Sequence, residues 1–120
     1  MEQLSDREQI MDCARLLAEH KGEQTIALYV GAVCSFTDYI VITTANSSGH
    51  ARGLQNHLQQ FLHERGLTPL NGYKRHEESS WNLVDLGFAV VHIMSREARE
   101  FYELENLWFS GDEVFRSPAG

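Results

Sequence analysis

The chain has 120 residues, a length that suits one domain built around a single hydrophobic core. Its 42% hydrophobic and 22% charged residues are typical of a globular protein and exclude a disordered or fibrous one. The net charge of −7 disfavours binding through nucleic-acid phosphates and favours basic protein partners. No basic stretch precedes a long apolar run, so we expect no secretion signal, no membrane span and a cytoplasmic protein.

Capping and spacing predict a helix at the start of the chain. Ser5 and Glu8 have the spacing of a capping box, in which each side chain bonds to the backbone N–H of the other residue. Apolar residues then recur at helical intervals, and Gly22 supplies a stop. The predicted helix is amphipathic, so its apolar face must pack on another element.

The next segments predict two strands and a second helix. Residues 25–30 and 39–44 are β-prone and mostly apolar, which is typical of strands covered on both faces. The second amphipathic helix follows N-cap candidates in residues 46–49 and ends at Gly66. A short strand over residues 67–70 then completes a crossover.

A hairpin and a closing helix are predicted in the last third of the chain. Residues 81–86 and 89–94 flank Gly87, which permits the tight turn of an antiparallel hairpin. Ser95 then caps a helix. The apolar positions of this helix are Ala98, Phe101, Leu104 and Trp108.

This order of elements predicts an α/β fold with a mixed sheet of about five strands flanked by helices. We assign residues 1–110 to that single domain. Residues 111–120 are polar and contain little apolar material beyond Val114 and Phe115. We therefore expect a flexible C-terminal tail there.

The histidines do not predict a metal site. His50, His57 and His63 lie on the second helix without the three- or four-residue spacing of helical ligand pairs. His92 lies in the middle of a strand and points away from the side of its apolar neighbours. We interpret it as a partly buried histidine bonded to a loop, and we expect neither a metal nor a cofactor.

An alternative interpretation is a nucleotidyltransferase-like, nucleotide-binding enzyme. Residues 46–49 would then hold phosphate at a helix N-terminus, and Asp38 or Asp85 would hold a metal. The chain lacks the Gly-Ser and Asp-x-Asp pattern that such chemistry requires. Capping of a turn explains Asp38 equally well.

The strand after residue 80 carries the most specific candidate for a binding surface. Trp81, Leu83 and Asp85 share one face by the two-residue period of a strand. An open face would present an aromatic anchor, an aliphatic side chain and a charge, a combination enriched at interface hot spots. Periodicity alone leaves it equally open that Trp81 packs in the core.

Several of these segments together resemble the ribosomal silencing factor family, also called RsfS or Iojap. The resemblance lies, in chain order, in residues 25–30, 37–47, the Trp-to-His hairpin at 81–93 and the closing helix at 99–108. His50 fits the histidine that often starts the family's second helix. Phe88 departs from the pattern, since the family usually has an acid after the hairpin glycine.

The resemblance implies a nucleotidyltransferase-like α/β fold without catalytic acids, and so a binding protein and no enzyme. It also implies binding to the large ribosomal subunit through ribosomal protein fourteen, a steric block to joining of the small subunit, and repression of translation under nutrient limitation. No nucleic-acid specificity is expected, and a homodimer through a sheet edge stays open. The expected partner-binding residues are Trp81, Leu83, Asp85, Leu86, Glu77 and Glu78.

Overall fold

The computed structural model describes residues 5–70, 81–103, 106 and 111–117. Within them, three helices and five strands occur in the order α1 (Asp6–Glu19), β1 (Glu23–Tyr29), β2 (Tyr39–Ala45), α2 (Ser48–Glu64), β3 (Trp81–Asp85), β4 (Ala89–Ser95), α3 (Arg96–Tyr102) and β5 (Asp112–Arg116). The strands form one sheet in the spatial order β3-β4-β2-β1-β5. β2 and β4 are parallel, and the other neighbouring pairs are antiparallel. The predicted α/β fold with a mixed five-stranded sheet is confirmed.

The capping signals act as the sequence predicts. The Ser5 hydroxyl accepts a hydrogen bond from the Glu8 N–H at 3.2 Å, and the Glu8 carboxylate accepts one from the Ser5 N–H at 3.4 Å. The Ser47 hydroxyl accepts the His50 N–H at 3.0 Å and so begins α2. Each bond satisfies a backbone donor that the first helical turn leaves without a partner.

The predicted strand over residues 67–70 is wrong. The Leu67 N–H bonds to the Leu62 carbonyl at the end of α2, and Pro69 has no N–H to offer a sheet. Only the Leu70 N–H reaches a strand residue, bonding to the Asp85 carbonyl at 2.7 Å. The segment therefore closes α2 and forms no strand.

Different helices pack against the two faces of the sheet. The first face packs against α1 and α2, and its largest fully buried side chains are Ile10, Leu17, Val41, Leu54, Leu58, Leu62, Val91 and Ile93. The second face, with Ile40, Ile42, Val90 and Met94 among its buried residues, packs against α3 through Ala98. Among the described elements, the second face thus has the smaller helical cover.

The predicted flexible tail is wrong over Asp112–Arg116, which form β5 on β1. Ser117 extends the pairing, since its N–H bonds to the Thr25 carbonyl at 2.8 Å and its hydroxyl accepts the Thr25 N–H at 3.0 Å. Val114 and Phe115 both pack against the first-face core. Two apolar residues suffice here because backbone hydrogen bonds to β1 supply the rest of the attachment.

The closing helix is shorter than predicted. Ser95 caps it through the Ala98 N–H at 3.1 Å, but α3 ends at Tyr102, and Glu103 has the left-handed φ of 47° that is common at helix ends. Phe101, one of the apolar positions of the predicted helix, is 80% exposed. Leu104 and Trp108 lie outside the described residues. No helix in the part of the chain that the structure describes has the length and apolar character needed to cross a bilayer.

Candidate partner-binding surface

β3 places Trp81, Leu83 and Asp85 on the second face, as their spacing predicts. Trp81 packs against the second-face core, whereas Val84, between Leu83 and Asp85, packs against the first-face core. Leu83 is 43% exposed. Trp81 is only partly buried. It therefore combines core packing with an accessible edge, and its role as a partner contact stays a prediction.

A side-chain hydrogen bond fixes the orientation of Trp81. Its indole N–H donates to Nδ1 of His92 at 2.9 Å, and the two ring centroids lie 5.7 Å apart. Leu83 is the direct partner of His92 in the antiparallel register, so Trp81 is its diagonal neighbour on the same face. The predicted loop partner of His92 is wrong, because a neighbouring strand provides the donor.

His92 is held in its neutral form. It is buried, and burial lowers its pKa from 6.5 to about 4 because the imidazolium would lose its hydration. Since Nδ1 accepts the indole proton, the ring proton of neutral His92 is on Nε2. The pair is thus a fixed donor and acceptor at neutral pH and not a proton-transfer centre.

Two aromatic residues of α3 continue the surface beyond Trp81. The Tyr102 ring centroid lies 4.6 Å from that of Trp81, and the Phe101 ring packs edge-on against Tyr102 at 4.9 Å. Together His92, Trp81, Tyr102 and Phe101 form an aromatic ladder that runs from the buried sheet to solvent. Helical spacing identified Phe101 as an apolar position but did not indicate its exposure or any role for Tyr102.

Arg99 sets the rotation of α3. Its buried guanidinium donates to the Thr44 hydroxyl at 2.9 Å and to the Glu23 carbonyl at 3.3 Å, so this side of the helix faces the sheet. Phe101 follows two positions later, roughly 200° around the helix, and therefore points to solvent. A buried arginine on a short polar helix has no clear sequence signal, because most arginines are exposed.

The remaining predicted contact residues differ in their position relative to Trp81. Asp85 accepts the Gly87 N–H at 2.8 Å and so stabilises the hairpin turn, where Gly87 has a φ of 84°. Leu86 packs against the first-face core, away from Trp81. Glu77 and Glu78 lie outside the described residues. The structure therefore brings together Trp81, Leu83 and Asp85 and separates Leu86 from them.

The hairpin tolerates Phe88 where an acid is usual. The Phe88 side chain packs against the first-face core, and its carbonyl accepts the N–H groups of Asp38 and Tyr39, each at 3.1 Å. The backbone of Phe88 thus joins β4 to β2 whatever its side chain. The turn keeps its form without a carboxylate at this position.

Comparison with known proteins decides the family. Residues 3–118 match the family model described as ribosomal silencing factor during starvation. The chain belongs to the ribosomal silencing factor family. It is 30% identical over 107 residues to the ribosomal silencing factor RsfS of Halalkalibacterium halodurans, covering 88% of this chain and 89% of that one. It is 36% identical over 88 residues to the RsfS of Haemophilus influenzae, covering 73% and 85%.

The chain also resembles a mitochondrial protein and two solved structures. A mouse protein named mitochondrial assembly of ribosomal large subunit protein 1 is 30% identical over 95 residues, covering 78% of this chain and 42% of its own length. A crystal structure of a Chromobacterium violaceum protein superposes with a TM-score of 0.79 at 29% identity, covering 88% of both chains. A Bacillus halodurans structure gives 0.75 at 26% identity, covering 92% and 99%.

The geometry of this silencing factor does not assemble the enzyme site considered above. Asp38 precedes β2, and Asp85 lies at the same end of the sheet, because Tyr39 is paired with Ala89 and Asp85 with Val90. Residues 46–49 follow the opposite end of β2, roughly 20 Å away at about 3.3 Å per strand residue. The proposed phosphate and metal groups are therefore separated by the length of the strand.

His50 has a structural role at the start of α2. Its Nδ1 accepts the Asn46 N–H at 3.0 Å, and its Nε2 is 3.0 Å from the carbonyl of His20 at the end of α1. The ring thus ties the two helices of the first face together. Within the described ranges, no group of three or more His, Cys, Asp or Glu side chains is arranged to hold a metal ion.

Proposed function

We propose that this silencing factor binds the large ribosomal subunit through ribosomal protein fourteen and sterically prevents the small subunit from joining. Translation would then be repressed when nutrients are limiting. Family membership supports the ribosomal role. The aromatic ladder is the observation that most supports this binding surface. It exposes Tyr102 and Phe101 beside Trp81, on the face that fewer of the described helices cover.

The surface around Trp81 has the physical properties of an interface hot spot. Tryptophan and tyrosine supply large contact areas with few rotatable bonds. The hydrogen bond to His92 fixes the indole before a partner arrives, so binding costs little additional side-chain entropy. Leu83 lies beside Trp81 on the same strand face and enlarges the apolar centre.

Charge supports a basic partner for this surface. The chain carries a net charge of −7, and such a field accelerates encounters with basic proteins and opposes approach of nucleic-acid phosphates. Asp85, Glu77 and Glu78 are proposed as rim charges that orient the partner, each contributing little alone. Leu86 would support the hairpin from its other face, because its side chain lies against the first-face core.

A sedimentation experiment tests the proposal. Purified large subunits are pelleted with the protein, and we expect it in the pellet at low micromolar concentration. Small subunits are then added, and we expect fewer joined ribosomes in a sucrose gradient. Protein that stays in the supernatant would contradict ribosome binding. Pelleting with unchanged subunit joining would contradict the steric block, and binding to subunits without binding to purified ribosomal protein fourteen would contradict the named partner.

A further inference from the structure

Two large hydrophobic side chains outside the surface around Trp81 are exposed to solvent. Val33 is 52% exposed and Phe36 is 68% exposed, both in the loop that joins β1 to β2. Exposed apolar side chains that cluster in one segment mark interaction sites more often than single ones do. We call residues 31–38 the β1–β2 loop.

Backbone hydrogen bonds order this loop. The Val30 carbonyl accepts the N–H groups of Val33 and Cys34 at 2.9 and 2.8 Å, and the Val30 N–H donates to the Asp38 carbonyl at 2.7 Å. An added Cβ at Gly31 would lie 2.6 Å from the Tyr29 hydroxyl and 2.8 Å from a carboxylate oxygen of Asp38, so a larger residue there would displace these side chains. The loop is therefore preorganised to present its apolar side chains.

The β1–β2 loop is anchored on the second face. The side chain of Cys34 packs against the second-face core, which includes Val30, Ile40 and Val90. The loop thus lies on the same side of the sheet as Leu83, at the end opposite α3. Exposed apolar residues therefore lie at both ends of the sheet, Phe101 and Tyr102 in α3 and Val33 and Phe36 in the β1–β2 loop.

Acidic residues lie at the strand ends nearest the β1–β2 loop. Asp38 closes the loop, Asp85 ends β3 at the same end of the sheet, and Asp112 is paired with Tyr29 at the end of β1. Along the described strands, the basic residue nearest this end is Arg116, which already forms an ion pair with Glu113 at 2.7 Å. An apolar centre within an acidic rim is complementary to a basic protein surface and repels nucleic acid or anionic lipid.

We infer that Val33 and Phe36 form a second anchor for the partner that docks on the surface around Trp81. The inference rests on the proposed function and extends its contact area along the second face from α3 to the β1–β2 loop. The occupant is a basic protein with an apolar patch at each end of its footprint. Two separated anchors on one rigid sheet also fix the orientation of the partner, which a steric block requires.

A matched pair of variants tests the second anchor. We compare Val33→Ser/Phe36→Ser with Leu70→Ser, which removes a 71% exposed side chain that follows α2. We measure the affinity of each for purified ribosomal protein fourteen and for large subunits, together with the melting temperature. We expect the double variant to bind at least about tenfold more weakly, the loss of roughly one hot-spot side chain, and the control to bind like wild type.

The outcomes separate this inference from the proposed function. Binding of the double variant within twofold of wild type, while Trp81→Ala binds weakly, would overturn the second anchor and leave the proposed function intact. An equal loss in Leu70→Ser would also overturn it, because the effect would not be specific to the loop. No binding by wild type overturns both, and a loop-dependent affinity for RNA or anionic vesicles alone overturns the protein partner.

Discussion

The indole of Trp81 and the imidazole of His92 join β3 to β4 through an N–H···N hydrogen bond of 2.9 Å. The bond holds Trp81 in one orientation on the second face of the sheet, where Tyr102 packs against it. A buried neutral histidine thus acts as the acceptor that positions a partly exposed anchor. This relationship makes the stability of the protein and the order of the proposed binding surface depend on the same titratable group.

The first prediction concerns pH. Burial lowers the pKa of His92 from 6.5 to about 4, so between these values the unfolded chain takes up a proton that the folded protein excludes. The free energy of unfolding should therefore decrease as the pH falls from 6.5 towards 4, by up to roughly 3 kcal/mol from this group.

Urea denaturation across that pH range measures this effect. The carboxylates also titrate there, so the comparison is with His92→Gln, which cannot be protonated but retains an oxygen that can accept the indole N–H. We expect the wild type to lose more stability on acidification than the variant. Parallel pH profiles for the two proteins would show that His92 is not the group responsible.

The second prediction concerns Arg99 and the placement of α3. Arg99→Ala removes the donor to the Thr44 hydroxyl and the Glu23 carbonyl, and it should lower the free energy of unfolding by about 2 to 3 kcal/mol. Because Arg99 sets the rotation that brings Tyr102 to Trp81, partner binding should weaken as well.

Arg96 provides the matched control for this change. It lies on the same helix, and its exposed guanidinium pairs with the Glu23 carboxylate at 2.7 Å. Exposed ion pairs contribute little, so Arg96→Ala should leave both stability and binding nearly unchanged. Thermal unfolding and titration calorimetry measure the two properties, and equal effects of both substitutions would contradict a positioning role for Arg99.

The third prediction concerns β5. A chain ending at Gly111 loses the backbone pairing with β1 and the partial burial of Val114 and Phe115. We expect its free energy of unfolding to fall by about 3 kcal/mol or more, the value of two partly buried apolar side chains and several backbone hydrogen bonds. A chemical denaturation curve that matches the full-length protein would mean that the segment is a dispensable tail.

The sequence could predict the features of the structure that depend on neighbouring residues. The capping box at Ser5 and the turn at Gly87 each depend on residues close together in the chain, so their geometry follows from side-chain chemistry alone. The apolar runs at β1 and β2 likewise predicted strands that are buried on both faces. These elements already defined the α/β fold.

The sequence could not predict contacts between residues that lie far apart in the chain. β5 forms because Asp112–Arg116 meets β1, more than eighty residues earlier in the chain, as the Thr25–Ser117 bond at a separation of 92 illustrates. The acceptor for Trp81 depends on the diagonal register of two strands, and the exposure of Phe101 depends on the buried bonds of Arg99. None of these contacts has a signal within its own segment.

The affinity of Trp81→Ala for purified ribosomal protein fourteen tests the central claim most directly. Circular dichroism first confirms that the variant remains folded, since Trp81 also packs on the second-face core. We predict that wild type binds and that the variant loses about 2 to 4 kcal/mol of binding free energy, the range of a hot-spot tryptophan. A folded variant that binds as tightly as wild type would contradict the account.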